Sequence, residues 1–286
     1  MTDPAARPVR TVGILGGGQL GRMMALAGAR LGLRSVVLCP DPDSPAFEVA
    51  AEHIVAAYED EAALADFAAR CDVVTYEFEN VPAATAAFLA ARLPVRPGPR
   101  SLEVSQDRLA EKTFLAELGI PTAPFRAVDE RADLEAGLAE IGFPAVLKTR
   151  RFGYDGKGQA KITTPDDVGP AFDAMKGQPA ILEGWVPFSR EISVLTARDV
   201  DGRLVTYDVP ENRHRQHILK FSRVPAGLAP TTEAAARRIG ESVADALEHV
   251  GVITVELFLL ETAEGERLIA NEIAPRVHNS GHWTES

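Results

Sequence analysis

The chain has 286 residues, 46% of them hydrophobic, and a formal net charge of −11. This length and composition suit two or three domains with their own cores and argue against disorder. The negative charge argues against a nucleic acid or an anionic membrane as partner, because both require a basic surface. The sequence has neither a run of roughly 18 apolar residues nor an apolar signal core in residues 1–10. We therefore expect a cytoplasmic protein whose partners are small molecules.

The first hundred residues alternate between strand and helix patterns. The patterns predict strands at 11–15, 35–38, 53–55 and 73–76, and helices at 19–31 and 61–69. Such alternation is typical of a parallel, doubly wound sheet. We expect a Rossmann-like domain over residues 1–100, ending in the Pro-rich segment 93–99.

A glycine motif follows the first predicted strand. Gly16, Gly18 and Gly21 fit the spacing G-x-G-x-x-G, and Asp41 lies at the end of the second strand, twenty residues beyond the last glycine. This is the dinucleotide-binding fingerprint, which alone favours a nicotinamide oxidoreductase. The motif itself provides only a tight turn and a helix N-terminus that can receive an anion. Close packing of strand and helix is the structural alternative.

The remaining residues predict a two-lobed α+β region, divided into 101–190 and 191–286. Helix patterns cover 101–118, 131–141 and 165–175, with short strands at 143–148 and 180–186. Strand patterns dominate after residue 191, apart from a long helix at 231–250. The fold class is therefore α/β, with a parallel-sheet domain followed by two α+β lobes.

The segment 148–159 contains four cations and three glycines. The predicted strand 143–148 fixes Lys148 on a rigid element, whereas Lys157 lies on the loop that follows. The glycines allow backbone amides to approach a phosphate closely. The segment therefore predicts an anion site, and a solvated hairpin tip is the alternative.

Two predicted strands, 251–260 and 267–272, bring two acids together. If the three residues Ala263, Glu264 and Gly265 form the loop, residues whose numbers sum to 528 face each other. Leu260 then faces Leu268, and Glu256 faces Glu272. Opposed carboxylates repel unless one is protonated or a cation lies between them, and magnesium is the natural cation. The amide of Asn271 is a further ligand candidate, and an exposed acidic face in another register is the alternative.

Phosphate cations and a metal-type acid pair together describe a magnesium nucleotide site. Between them, the strand 180–186 could offer its backbone and Glu183 to an adenine edge and a ribose hydroxyl, although an ordinary strand end fits nearly as well.

Eight segments carry a family resemblance. They are GGGQLGRM (16–23), QDR (106–108) with Glu111 and Lys112, Lys148-Thr149, GYDGKGQ (153–159), EGWV (183–186), Glu191-Ile-Ser193, PENRH (210–214) and NEIAPRVHNSGHW (271–283). In these the chain resembles the ATP-grasp superfamily and, within it, the N5-carboxyaminoimidazole ribonucleotide synthetase family. Val277 departs from the family's usual proline, which changes loop stiffness.

The resemblance implies a nucleotide site and a metal site. It places magnesium on Glu256 and Glu272. It places ATP among Arg108, Lys148, Gly153, Tyr154, Asp155, Gly156, Lys157, Gly158, Gln159, Glu183, Gly184, Trp185, Val186, Glu191, His214, Asn271 and Glu272.

The resemblance also implies a reaction. The family joins bicarbonate to the exocyclic amine of 5-aminoimidazole ribonucleotide, in purine biosynthesis, and ATP gives ADP and phosphate through carboxyphosphate. We expect Arg276 and His278 to hold bicarbonate or carboxyphosphate, and Tyr154 and Asp155 to contact the aminoimidazole. Lys157, on the glycine loop, is a further expected catalytic residue. Arg276 could instead pair with an acid of the metal site. The residues expected to face the substrate from the first domain are Gly17, Gly18, Gln19 and Leu20.

Several alternatives stay open on sequence alone. The family normally continues past residue 286 into a small C-terminal domain, which we expect this chain to lack, and the full-length protein is expected to be a homodimer. Another ATP-grasp ligase, such as a formate-using ribotide transformylase or a biotin-dependent carboxylase, shares the ATP chemistry. A nicotinamide oxidoreductase rests on the glycine motif, and an inactive nucleotide-binding fragment is the alternative that is not an enzyme.

Overall fold

The computed structural model describes residues 9–153, 157–216 and 218–285. They form two compact units, one reaching to Leu102 and including His249–Gly251, the other built from Glu103–Glu248 and the segment from Val252 onward. The predicted α/β class is confirmed. The division of the second unit at residue 190 stays a prediction. None of the described helices is long and apolar enough to span a membrane.

The first unit is a parallel four-stranded sheet in the order β3-β2-β1-β4. Its central strands are apolar on both faces, as expected where helices cover both sides of a sheet. Because β1 and β4 are neighbours, the segments that follow them meet at one edge. The elements are β1 (Thr11–Leu15), α1 (Gln19–Arg30), β2 (Arg34–Cys39), β3 (Glu52–Val55), α2 (Glu61–Ala69), β4 (Val73–Tyr76) and α3 (Ala83–Ala90).

Two helices stand where the sequence predicted one. The helix predicted over 101–118 is wrong in its continuity, because α4 (Pro99–Ser105) ends before α5 (Arg108–Glu117) begins. Asp107 causes the break, since its carboxylate accepts the Leu109 and Ala110 N–H groups and so caps α5. The same carboxylate pairs with Arg150 at 2.7 Å, which places the start of α5 beside the basic segment.

The second unit contains a four-stranded antiparallel sheet in the order β5-β8-β6-β7. Leu134, Leu147 and Leu182 form the centre of its core. The pairing of β6 with β8 brings the strand that carries Lys148 beside the strand that carries Glu183. The elements are β5 (Phe125–Val128), α6 (Arg131–Ile141), β6 (Ala145–Thr149), β7 (Gln159–Ile162), α7 (Val168–Ala174) and β8 (Ala180–Gly184).

A six-stranded sheet completes the second unit, in the order β12-β11-β9-β13-β14 with β10 paired to β9. The helix α8 packs closely on β9, because a Cβ at Gly240 would lie 2.6 Å from both Thr196 and Val194. The elements are β9 (Arg190–Arg198), β10 (Leu204–Thr206), β11 (Glu211–Arg215), β12 (Ile218–Arg223), α8 (Pro230–Ala246), β13 (Gly251–Thr262) and β14 (Gly265–Ala274).

Candidate functional site

Glu256 and Glu272 face each other across β13 and β14. The predicted pair is confirmed, but the predicted hairpin loop is wrong. Thr262 pairs with Gly265, so the loop has two residues, and Leu260 pairs with Arg267 instead of Leu268. A bulge between Glu256 and Leu257 then restores the opposition of the two acids. Since a slip of one residue turns side chains to the other face of a sheet, this bulge is what aligns the carboxylates.

Two side chains of helix α5 bind the backbone around this bulge. The ammonium of Lys112, a residue only 1% exposed, donates to the carbonyls of Ala270 and Asn271 at 3.2 and 2.7 Å. The carboxyl of Glu111 accepts the Ile273 N–H at 2.5 Å. Consecutive residues of one helix thus bind backbone groups on both sides of Glu272. The sequence analysis gave neither residue a role, although both belong to a segment that carried the resemblance.

Two lysines converge on the buried carboxylate of Glu183. Lys148 Nζ lies 2.9 Å and Lys112 Nζ 3.6 Å from its Oε2. Burial alone would raise the pKa of Glu183, but the two ammonium groups outweigh it and hold that pKa below its ordinary value. Its other oxygen, Oε1, is buried and has no hydrogen-bond partner among the described residues.

Arg108 connects the acid pair to the glycine loop. Its guanidinium donates to Glu272 at 3.2 Å and to the Gly153 carbonyl at 3.3 Å. Burial is the largest single influence on the pKa of Glu272 and would raise it, but the neighbouring cations, led by Arg108, together outweigh burial and lower it. The ionised form of the Glu272 carboxylate is therefore favoured.

The pKa of Glu111 shifts in the opposite direction to that of Glu272. Burial, followed by the negative charge of Glu272, raises its pKa to about 8. The folded chain thus favours the protonated acid, so the stability that Glu111 contributes is complete below its ordinary pKa of 4.5 and is lost as the pH rises to about 8.

We compare the melting temperature of the metal-free chain with that of its Glu111→Gln variant. We expect the first to decrease relative to the second as the pH rises from about 5 to about 8.5. Glutamine keeps the shape of the neutral acid and cannot ionise. Thermal unfolding in EDTA measures the difference, and Glu117→Gln, at an exposed position on α5, is the matched control. A difference that rises with pH would contradict the assignment.

Four further predicted residues are placed by the structure. His278 Nε2 lies 3.1 Å from Glu256 Oε1. Arg276 donates to the Val277 carbonyl at 3.0 Å. His214 and Glu191 form a pair at 2.7 Å, and this hydrogen bond raises the pKa of His214. His214 and Glu191 line one open cleft of about 590 Å³.

The described ends of the glycine loop are tightly built. Gly158 has φ +70°, its carbonyl accepts the Thr149 N–H at 2.7 Å, and a Cβ there would lie 2.5 Å from Thr149 Oγ1. Only glycine fits this geometry without strain. Nearby, Trp185 stacks against the ammonium of Lys161, 3.7 Å from the ring centroid. Three predicted residues of the loop, Tyr154, Asp155 and Gly156, lie outside the described residues.

In the first unit, backbone amides of the glycine motif bind the carboxylate of Glu77, a residue of the chain itself. The N–H groups of Gly18 and Gly21 donate to Glu77, the latter at 2.6 Å. A Cβ at Gly16 or Gly18 would lie within 3 Å of Glu77. The donors that a dinucleotide pyrophosphate would need are therefore taken, which argues against the nicotinamide alternative.

The sequence analysis missed Glu77, although its position directly after β4, next to β1, was a usable signal. The acid that the fingerprint selected, Asp41, accepts the Asp43 N–H at 3.0 Å. Among the predicted substrate residues, Gly17 accepts the Ala46 N–H at 2.9 Å, and Gln19 and Leu20 open α1.

Comparison with known proteins matches both units. Residues 9–106 match the ribonucleotide synthetase preATP-grasp domain, and residues 113–286 match the ATP-grasp domain. The N5-carboxyaminoimidazole ribonucleotide synthase of Brucella melitensis is 50% identical over 100% of this chain and 79% of its own length. That of Pseudomonas aeruginosa is 48% identical over 96% of this chain and 74% of its own length.

Solved structures agree with the sequence relatives. The ADP complex of an N5-carboxyaminoimidazole ribonucleotide synthetase superposes with a TM-score of 0.92 at 42% identity, covering 98% of this chain and 74% of the other. The Aspergillus clavatus synthase in complex with ADP and 5-aminoimidazole ribonucleotide gives 0.87 at 31% identity, covering 96% and 72%.

Proposed function

The chain belongs to the N5-carboxyaminoimidazole ribonucleotide synthases of the ATP-grasp superfamily, and from this we infer that it uses ATP to carboxylate 5-aminoimidazole ribonucleotide in purine biosynthesis. One observation carries this function. Lys148 and Lys112 converge on Glu183, while Arg108 links the glycine loop to Glu272. Phosphoryl transfer requires such positioned cations and acids more than it requires covalent chemistry.

ATP and Mg²⁺ are the cofactors of this chemistry. We assign the phosphates to Arg108, Lys148 and the loop 153–159. The buried Oε1 of Glu183 lacks a partner among the described residues and can accept an adenine amino group, beside the backbone of 184–186. Glu191 and His214, paired in their cleft, are assigned to the ribose.

The metal is assigned to Glu256 and Glu272, with the Asn271 amide nearby. The described residues contain no cluster of three or more acidic, histidine or cysteine side chains that could enclose a metal. Two opposed carboxylates nevertheless fit Mg²⁺, which completes its shell with phosphate oxygens and water. When bound, the ion neutralises charge on the transferred phosphoryl group.

For the carboxylation we assign bicarbonate as the carbon source. A bicarbonate oxygen attacks the γ-phosphorus and ADP leaves; the ribotide amine then attacks the carbon of carboxyphosphate, loses a proton, and phosphate leaves. Arg276, His278 and Lys157 are assigned to the carboxyphosphate, and Tyr154 and Asp155 to the aminoimidazole. Residues 17–20 are assigned to the ribotide. That the full-length protein forms a homodimer stays a prediction.

The test is phosphate release from magnesium ATP. We expect release that requires both the ribotide and bicarbonate, and that Lys148→Met lowers at least tenfold, about the effect of one charge-assisted hydrogen bond. Lys176→Met, at an exposed position, is the control and should match the unaltered chain. Release that is indifferent to the ribotide would contradict the function.

A further inference from the structure

A chain of polar side chains leads through the second unit to His278. Ser222 Oγ donates to Asn212 Oδ1 at 2.8 Å, and Asn212 Nδ2 donates to Ser193 Oγ at 2.9 Å. Ser193 Oγ donates to Ser280 Oγ at 2.7 Å, and Ser280 Oγ lies 2.9 Å from His278 Nδ1. Ser193 and Ser280 are fully buried, and Asn212 is 4% exposed. We call Asn212, Ser193 and Ser280 the relay.

Each hydroxyl has one proton, so the direction of the relay is determined from its start. Asn212 uses its oxygen for Ser222 and therefore offers its NH₂ group to Ser193. Ser193 must then give its proton to Ser280. Ser280 is left with its own proton, which it can donate to His278 Nδ1.

The backbone of Ser280 fixes this direction at the histidine. The Ser280 N–H also points at Nδ1, at 3.4 Å, and a backbone N–H can only donate. On the far side of the ring, Nε2 lies 3.1 Å from Glu256 Oε1. The neutral ring therefore carries its proton on Nε2.

We propose that the relay makes His278 a hydrogen-bond donor in the reaction and excludes it as a general base. Nδ1 is committed to Ser280, so only Nε2 can reach a ligand, and Nε2 already holds a proton. Its one N–H can orient Glu256 or, when that contact opens, donate to an oxygen of bicarbonate or carboxyphosphate. Another base must accept the amine proton. Ser193, Ser280 and Asn212 are positioning residues. The proposal rests on the proposed function for the identity of that ligand.

The tautomer can be measured without turnover. Long-range ¹H–¹⁵N NMR of the full chain labelled at histidine, at about pH 8.5, where an ordinary imidazole is neutral, should show His278 protonated on Nε2. Its signals are assigned by their loss in His278→Gln. Ser280→Ala, which removes the hydroxyl donor, should increase the Nδ1–H form. An Nδ1–H ring in the unaltered chain, or an unchanged spectrum in Ser280→Ala, would overturn the proposal.

Thr254→Val is the matched control for these spectra. Thr254 is fully buried on β13, two residues from Glu256, and its hydroxyl has no partner among the described residues. Its loss should leave the tautomer unchanged. A shift as large as that of Ser280→Ala would show that any buried change nearby moves the ring, and would overturn the assignment to the relay.

Activity separates a donor from a base. Glutamine at position 278 can donate a hydrogen bond but cannot accept a proton as a base, so His278→Gln should keep about 10- to 100-fold more ribotide-dependent phosphate release than His278→Ala. Equal losses in the two variants would overturn the proposal. Absence of ribotide-dependent release in the unaltered chain would instead contradict the proposed function, while the NMR result would still decide the tautomer.

Discussion

Replacing Glu272 with glutamine is expected to lower ribotide-dependent phosphate release by about 10²–10³-fold and to leave the chain folded. Glutamine keeps the size of the side chain, and its amide oxygen can still accept from Arg108, which donates to Glu272 at 3.2 Å. What disappears is one of two opposed negative charges. A bound cation contributes several kcal/mol to such a transfer, and each ~1.4 kcal/mol is a factor of ten in rate.

Two measurements make this prediction specific to the metal site. Phosphate release should require more Mg²⁺ in Glu272→Gln than in the unaltered chain, and Mn²⁺ binding in the presence of ADP, followed by electron paramagnetic resonance, should weaken in parallel. Glu264→Gln, in the loop of the same hairpin and exposed, should change neither. Unaltered Mg²⁺ dependence in Glu272→Gln would remove Glu272 from the ligand set.

The acid pair shows how far the sequence could predict this site. The predicted register brought Glu256 opposite Glu272, although the predicted loop was one residue too long. The pair was still correct because the bulge beside Asn271 adds the residue that the shorter loop removes. No local pattern signals this bulge, since the group that binds its carbonyls is Lys112, more than 150 positions away in the chain.

The glycine motif shows a second limit. The sequence predicted the turn and the start of α1, because these depend on neighbouring residues. It could not identify what fills the turn, because Glu77 arrives from the adjacent strand, 56 positions from Gly21. The break before α5 was different, since Asp107 is a common N-cap residue and was available as a local signal.

Replacing Lys112 with methionine is expected to destabilise the chain by about 3–5 kcal/mol, the usual range when one partner of a buried ion pair is removed. Methionine fills a similar volume without the charge. Burial lowers the pKa of this ammonium, and the negative charge of Glu183 opposes that effect. The ammonium also donates to two carbonyls of the bulge. The melting temperature should fall by roughly 10 °C, whereas exposed Lys176→Met should shift it little.

A double-mutant cycle with Glu183→Gln separates the two roles of Lys112. If the lysine acted only as a counter-charge, its replacement would have little effect once Glu183 is neutral. We expect at least half of the loss to persist, because the carbonyls of Ala270 and Asn271 lie within hydrogen-bond distance of Nζ and Glu183 does not, at 3.6 Å. Mn²⁺ binding should then weaken in both backgrounds, since the bulge that aligns Glu272 with Glu256 has lost its donor. A loss that vanishes in the Glu183→Gln background would show that the bulge is stable by itself and that Lys112 only balances charge.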